Sequence, residues 1–275
     1  MIGRDPAQSG EARRRPEASV GRAIAQAFLD LLYPPRCEVC ETLGREAFCP
    51  ECLAQVLPHE PPECRLCGVL LPRSPARRDL CPECAGTCRY YDGARSAGVH
   101  CATLRTAVLH YKFDNRRRLQ GPLARLLADR LEAEPGPPHG LPLGQVDALV
   151  PIPLHPRRRQ WRGFDQALLL TIELARMTGL PLVVGLARTR ATTPQIHLAP
   201  QEREQNMRGA FAPLGRVLEG RRVLLIDDVY TTGATANQAA KAAKEGGAVA
   251  AYVLTVSRPP PPWHPAALTL EPGDG

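Results

Sequence analysis

Eight of the ten cysteines stand in four C-x-x-C pairs between positions 37 and 84. The pairs are CEVC (Cys37, Cys40), CPEC (Cys49, Cys52), CRLC (Cys64, Cys67) and CPEC (Cys81, Cys84). Each C-x-x-C loop presents two thiolates to one ion from a tight turn, and two loops complete the tetrahedral Cys₄ site that suits zinc. Because a segment this small obtains its folding free energy from the metal, the spacing predicts structural zinc.

The role of the cysteine pairs, the way they combine and the role of the two remaining cysteines each need an argument. A redox role is the alternative for a single C-x-x-C pair, but four copies favour metal, and closed ligand sets favour a structural role. Pairing first with second and third with fourth gives two ribbons, whereas a cross-braced arrangement is the other possibility. Cys88 and Cys101 stand outside the pairs, and we interpret both as ordinary buried thiols.

The net charge of +7 comes from arginine, since the chain has only three lysines. A basic balance is typical of proteins with phosphate-bearing or nucleic-acid ligands, although an arginine-rich surface also serves solubility. No apolar run approaches the roughly 20 residues of a membrane span, and the polar N-terminus lacks the apolar stretch of a signal peptide. We therefore expect a cytoplasmic protein whose cysteines bind metal rather than form disulfides.

Composition divides the chain into five segments. We expect a disordered N-terminus (1–18), an amphipathic helix that ends at two prolines (19–35), a double zinc ribbon (36–89), a domain of alternating strands and helices (90–258) and a loose Pro-rich tail (259–275).

The 90–258 segment alternates apolar strand-like runs with helix-like runs. Predicted strands are 96–102, 146–153, 180–188, 221–228 and 249–257. Predicted helices are 104–113, 121–134, 165–178 (stopped by Gly179) and 234–245. This alternation predicts an α/β fold with a largely parallel sheet flanked by helices.

Two adjacent carboxylates, Asp227 and Asp228, follow four apolar residues at the predicted end of a strand. The carboxyl ends of parallel strands face the crevice where α/β proteins bind ligands. The residues that then wrap into a helix N-terminus are Thr231, Thr232, Gly233, Ala234 and Thr235. Their amides, hydroxyls and helix dipole suit a phosphate, and a glycine allows close backbone approach. The pattern predicts a ribose 5-phosphate site, against the alternative of solvated carboxylates and a threonine cap.

The stretch VLLIDDVYTTGAT resembles the phosphoribosyl pyrophosphate (PRPP) motif of type I phosphoribosyltransferases. The rest of the chain resembles the ComF family, in which a double zinc ribbon precedes such a domain. The matching pieces are LLYPPRCEVC, LHYKF, VPIPLHPRRRQWRGFDQA, TTPQ, QEREQNMRGAF and the Asp-Asp motif, over about residues 28–258. Asp165 departs from the asparagine expected in RGFNQ, which leaves the polar contact at that position open.

The resemblance implies a type I phosphoribosyltransferase fold and a magnesium-dependent reaction in which a nucleophile displaces pyrophosphate from PRPP. Asp227 and Asp228 would be the catalytic pair that positions the ribose. A pyrophosphate-contacting loop would supply Arg157, Arg158 and Arg159. A mobile hood would close over the site and carry Thr193, Gln195, Arg203 and Asn206.

A binding module is the rival hypothesis. The family is associated with DNA uptake in natural transformation, so the site might sense PRPP without turnover while arginines and ribbons hold single-stranded DNA or a competence helicase. Arg116, Arg117 and Arg118 form a basic cluster for such contacts, or else a solvated face. Lys112 is a further candidate phosphate ligand, or an exposed helix lysine. The acceptor, turnover and oligomeric state stay open.

Overall fold

The computed structural model describes residues 30–73, 79–134, 141–142, 145–190 and 207–269, with backbone alone at 157–159 and 269. Strands in these ranges are β1 (Gly93–Val99), β2 (Ala148–Pro151), β3 (Leu186–Arg188), β4 (Phe211–Pro213), β5 (Arg222–Val229) and β6 (Ala250–Arg258). Four of them form a parallel sheet in the order β1-β6-β5-β2. The predicted fold class, a parallel α/β sheet, is confirmed.

Helices cover both faces of this sheet. They are α1 (Pro50–Leu53), α2 (Pro82–Gly86), α3 (Ala102–Phe113), α4 (Gln120–Ala133), α5 (Pro156–Arg162), α6 (Gln166–Thr178) and α7 (Ala234–Glu245). Asp165 caps α6 by accepting from the Leu168 amide at 3.2 Å, and it also accepts from Leu154 N at 3.0 Å. Since aspartate caps helices as well as asparagine does, its departure from the family motif is compatible with the local fold. Gly179 ends α6 with φ of 73°, as predicted.

The two faces of the sheet carry different helices. On one face α3, α4 and α6 bury leucines such as Leu104, Leu123 and Leu170 against the sheet. On the other face α7 packs six buried alanines against the sheet and the β3–β4 pair. Small side chains let α7 lie close to the sheet, which brings its first turn near the end of β5.

The two cysteine clusters pack on opposite faces. Cys37 and Cys52 join the core with α3 and α4, whereas Cys64 and Cys84 join the core with α7. The chain between the clusters runs along the free edge of β1, where His59 N donates to Ala97 O at 3.2 Å and Val99 N donates to Leu57 O at 2.9 Å. The ribbons are therefore built onto the edge of the α/β domain.

Two predicted strands differ from the structure. The first begins at Gly93 and ends at Val99, so Cys101 and Ala102 belong to the start of α3. The run 180–188 is not one strand, because Leu182 bridges Leu149 in parallel and the chain then leaves the sheet to pair β3 with β4 in antiparallel fashion. Gly185 lies at this change of direction against Leu218, with no space for a side chain.

The predictions for the two ends of the chain have different outcomes. Most of the predicted N-terminal helix lies outside the described residues, which include helical structure only from Asp30. The tail after 258, expected to be loose, contains a 3₁₀ helix at Pro265–Thr269, and its Ala266 packs beside Leu70 and Cys101. Among the helices that the structure describes, none has the length and apolarity needed to cross a membrane.

Candidate functional site

The eight paired cysteines form two clusters whose ligand atoms all lie within 4.8 Å of one another. The members are Cys37, Cys40, Cys49 and Cys52 in the first cluster, and Cys64, Cys67, Cys81 and Cys84 in the second. Sulfur–sulfur distances of 3.9, 3.6 and 3.7 Å within them match the edge of about 3.8 Å that a ZnS₄ tetrahedron has. The sequential pairing is therefore the one present, and both clusters fit structural zinc.

Backbone amides support the thiolates of both clusters. Cys37 Sγ accepts from Val39 N at 3.4 Å, and Cys64 Sγ accepts from Cys81 N at 3.4 Å. Cys101 is buried as predicted, but Cys88 is exposed, so its interpretation as a buried thiol is wrong. It lies in the connection between α2 and β1.

The carboxylate pair lies at the carboxyl end of β5. Asp227 Oδ1 accepts from the Asp228 amide at 2.8 Å, and Asp228 is only 8% exposed. Lys112 Nζ, from the last turn of α3, lies 2.9 Å from Asp228 Oδ1. Burial and the neighbouring Asp228 carboxylate raise the pKa of Asp227 to about 8. Asp227 therefore holds its proton at neutral pH, and a cation that binds there can displace it.

The loop after β5 forms a small open pocket at the N-terminus of α7. Gly233 is the N-cap residue of α7 and has φ of 77°. The pocket is lined by Asp227, Val229, Tyr230, Thr231, Gly233, Thr235, Ala236 and Thr255. Thr232 is not among these residues, and its Oγ1 accepts from Ala234 N at 3.4 Å. The first turn of α7 leaves amides for an anion at this end, because intrahelical bonds do not use them.

Three polar residues of the site were not selected from the sequence. Tyr230 and Thr255 line the pocket, and Thr255 pairs with Asp227 across the β5–β6 register. Arg162 lies in the field of both aspartates; burial lowers its pKa and their carboxylates oppose that shift. Its guanidinium stacks 4.7 Å above the Phe113 ring. The RGFDQ motif, in which Arg162 precedes the glycine, was the signal that could have identified it.

The arginine cluster 116–118 has partners within the chain. Arg116 pairs with Glu41 at 2.8 Å, and Arg118 pairs with Glu38 at 3.1 Å and donates to Arg45 O at 2.8 Å. All three acceptors belong to the first ribbon. Arg117 lies 4.7 Å above the Phe164 ring. These contacts attach the first ribbon to the connection between α3 and α4, so the cluster has a structural use. Arg117 and Arg118 are nevertheless exposed, and contact with nucleic acid stays a prediction.

For two groups of predicted site residues the structure gives no side-chain contacts. Arg157, Arg158 and Arg159 belong to α5, whose backbone follows β2 at the same edge of the sheet. Their side chains are outside the description. The predicted hood residues Thr193, Gln195, Arg203 and Asn206 also lie outside the described residues.

Comparisons with solved structures give low scores. The allosteric regulatory enzyme of purine biosynthesis is 24% identical over 49% of this chain and a quarter of its own longer chain, with a TM-score of 0.33. A purine phosphoribosyltransferase from Pyrococcus horikoshii is 17% identical over 50% of this chain and 82% of its own, with a TM-score of 0.30. The fold assignment depends on the sheet order and the strand–loop–helix motif rather than on these scores.

Comparisons of sequence give longer matches. The double zinc ribbon domain family matches residues 28–85. The DNA utilization protein YhgH of Salmonella typhi is 32% identical over 70% of this chain and 90% of its own length. Competence protein F of Haemophilus influenzae is 29% identical over 78% and 92%, and competence protein ComFC of Bacillus subtilis is 36% identical over 37% and 40%. With its ribbons and its α/β domain in the order these relatives match, the chain belongs to the ComF family.

Proposed function

We propose that this protein binds PRPP with magnesium and transfers its phosphoribosyl group to a nucleophile, with release of pyrophosphate. The supporting observation is that Asp227 and the N-terminus of α7 line one pocket at the carboxyl edge of the sheet, with Asp228 next to it at the end of β5. Few ligands need two adjacent acceptors and a phosphate site together. A ribose 5-phosphate needs both, because its 2- and 3-hydroxyls donate in pairs while its 5-phosphate is an anion.

The loop and the carboxylates take different parts of the ligand in this proposal. Amides near Gly233 and the hydroxyls of Thr231 and Thr235 hold the 5-phosphate at the positive end of the α7 dipole. Asp227 and Asp228 accept from the ribose hydroxyls, which fixes the sugar at two points. Thr232 serves the loop itself, since its hydroxyl already bonds to the Ala234 amide.

Magnesium fits the residues present. The site offers carboxylate oxygens, which are the hard donors that this ion prefers, and Asp227 carries a proton that a cation can displace. When bound with PRPP, the ion neutralises charge on the ligand and stabilises the leaving pyrophosphate.

The reaction is a substitution at C1 of the ribose. The bond from C1 to the pyrophosphate oxygen breaks with its electron pair leaving on pyrophosphate, and the nucleophile donates the pair that forms the new bond to C1. The transition state resembles an oxocarbenium ion, so positioned anions beside the ring favour it. Lys112 and Arg162 provide positive charge next to the aspartates, and the α5 arginines are proposed to contact pyrophosphate.

The family suggests the second candidate function. Relatives carry the printed names "competence protein" and "DNA utilization protein", which favour a link to DNA uptake. A PRPP sensor without turnover, bound to single-stranded DNA or a helicase in the cytoplasm, would use the same pocket. Reduced thiols for two zinc sites agree with that compartment.

Two measurements test the proposal. Calorimetry with magnesium should detect PRPP binding to the wild type and a loss of most of it in Asp228→Ala, while Asp129→Ala, which removes an exposed carboxylate paired with Arg125, should keep it. No binding to folded wild-type protein would refute the site. Pyrophosphate release over a panel of nucleophilic acceptors separates the enzyme from the sensor, since a sensor binds PRPP and releases no pyrophosphate.

A further inference from the structure

Arg258, at the carboxyl end of β6, links the second zinc ribbon to the loop that follows the carboxylate pair. Its Nη1 donates to the carbonyl oxygen of Cys67, and its Nη2 lies 3.8 Å from Cys67 Sγ. The same guanidinium carbon lies 4.2 Å from the centroid of the Tyr230 ring. One buried side chain therefore contacts a zinc ligand and a pocket residue together.

Tyr230 is fixed on its other side by Tyr91. The two hydroxyl oxygens are 2.7 Å apart and the rings meet edge to face with centroids 6.3 Å apart. Burial raises the pKa of both phenols, so both stay protonated and one donates to the other. A β-carbon added at Gly233 would collide with the Tyr230 hydroxyl. Because the phenol touches the loop backbone, a shift of Tyr230 must move the loop.

A second connection runs beside the first. Tyr90 N, between α2 and β1, donates to Asn237 Oδ1 at 2.7 Å. Asn237 lies in the first turn of α7, and its own amide donates to Gly233 O at 2.8 Å. The segment that leaves the second ribbon therefore also holds the N-terminal turn of the helix on which the phosphate proposal depends.

We propose that Arg258, Tyr230 and Tyr91 are positioning residues that make the ligand-binding form of the 231–235 loop depend on zinc in the second ribbon. Without metal, a ribbon of this size loses the free energy that folds it. Cys67 then no longer fixes the Arg258 guanidinium, and Tyr230 loses its stacking partner. The first ribbon attaches to the connection between α3 and α4 through Arg116 and Arg118 and shares no residue with this set, so its zinc should leave the loop unchanged.

The first experiment needs no ligand, so its result does not depend on the proposed function. Hydrogen exchange is compared between Cys67→Ser, which weakens the second zinc site, and Cys40→Ser, which weakens the first. Amides at 231–237 should exchange at least about tenfold faster in Cys67→Ser, because local opening becomes easier. They should keep the wild-type rate in Cys40→Ser. Equal rates in the two variants would overturn the inference.

The second experiment keeps both zinc ions and makes a mild change. Tyr91→Phe removes one hydroxyl and leaves both rings and the Arg258 stack, while Tyr252→Phe makes the same change at a tyrosine in the opposite core. Tyr91→Phe should weaken PRPP–magnesium binding about fivefold, within the usual range of coupling between sites. Tyr252→Phe should bind as the wild type does. Unchanged affinity in Tyr91→Phe at full zinc content would overturn the link.

Reciprocity provides a measurement that a merely structural role would not change. If zinc favours the ligand-binding loop, the ligand must favour retention of that zinc. Zinc affinity is measured by equilibrium competition with a colorimetric chelator in Cys40→Ser, where the second site dominates, with and without PRPP and magnesium. The affinity should be about fivefold higher with ligand, and an unchanged affinity would overturn the coupling. Absence of PRPP binding in the wild type would count against the proposed function, and the exchange experiment would then still decide this inference.

Discussion

Lys112 Nζ lies 2.9 Å from Asp228 Oδ1, so a lysine of α3 neutralises one carboxylate of the pair before any ligand arrives. Both side chains are less than one-fifth exposed. The Lys112–Asp228 ion pair joins α3, against which the first ribbon packs, to the end of β5, where the candidate site lies.

Lys112→Met should weaken PRPP–magnesium binding by about tenfold or more. A charge-assisted hydrogen bond contributes about 1.5–3 kcal/mol, and without the lysine a polyanionic ligand meets two carboxylates with less compensating charge. Isothermal calorimetry measures the effect. Lys241→Met, at a more exposed pair with Glu245, is the control that should bind normally, and equal affinities in the two variants would exclude a role for Lys112.

Asp227→Asn should stabilise the unliganded protein increasingly as the pH rises. The folded-state pKa of about 8 is above the ordinary 3.8, so the wild type is stabilised by the bound proton at acid pH and loses that contribution as the pH rises through 8. Melting temperatures at pH 5, 7 and 8.5 should show a growing gain in the variant, reaching about 2 °C or more.

Asp147→Asn is the matched control for that titration. Bonds from the backbone and side chain of Arg222 lower the pKa of Asp147, so it is ionised throughout this pH range. Its effect on the melting temperature should be nearly constant from pH 5 to 8.5. A flat profile for Asp227→Asn as well would contradict the raised pKa.

Gly233→Ala should destabilise the protein and disturb the pocket. The residue has a left-handed φ of 77°, and the new β-carbon would collide with Tyr230, so the cost should exceed the roughly 1–2 kcal/mol of the conformation alone. The sequence predicted only close approach to a phosphate here, and the structure adds the collision with Tyr230. Chemical denaturation measures the loss. Gly121→Ala, in α4 with open space around it, should be neutral or stabilising, because alanine favours helix.

Freshly purified protein should carry about two zinc ions per chain, one for each Cys₄ set. Cys52→Ser should reduce the content to about one, because a closed site loses a ligand, while the sheet stays folded. Elemental analysis and far-UV circular dichroism give the two readouts. Cys88→Ser should keep the full content, since Cys88 belongs to neither cluster, and zinc-free wild-type protein would rule out the assignment.

Replacing Arg116 and Arg118 together by alanine should loosen the first ribbon. Their bonds to Glu38, Glu41 and Arg45 O attach it to the connection between α3 and α4. Limited proteolysis should cut near residues 36–49 faster than in the wild type, whereas Arg125→Ala, at an exposed pair on α4, should have no effect. If proteolysis is unchanged and the salt dependence of single-stranded DNA binding falls instead, the result would favour contact between these arginines and nucleic acid over the structural role.

Local patterns gave good predictions where neighbours along the chain decide the structure. The C-x-x-C spacing predicted both metal clusters, because each loop brings its own two thiolates together. Four apolar residues before Asp227 predicted the buried strand and its end, and α7 has the predicted bounds of Ala234–Glu245. The prediction of one strand at 180–188 was wrong because this apolar segment pairs first with β2 and then with β4. No neighbouring residue specifies where the chain changes partner.

The sequence alone determined the four pairs of metal-binding thiolates, the strand–loop–helix motif and the alternation that requires a parallel sheet, while the structure decided which pairs share a cluster. The tertiary structure decided which distant residues meet. Arg258 reaches Cys67 and Tyr91 reaches Tyr230 only because β6 lies beside β1 in the sheet, and Lys112 meets Asp228 only because α3 ends beside β5. The physical reason is that helix, turn and ligand-loop preferences act between near neighbours, whereas strand order follows from burying both faces of the sheet at once, which depends on the whole chain.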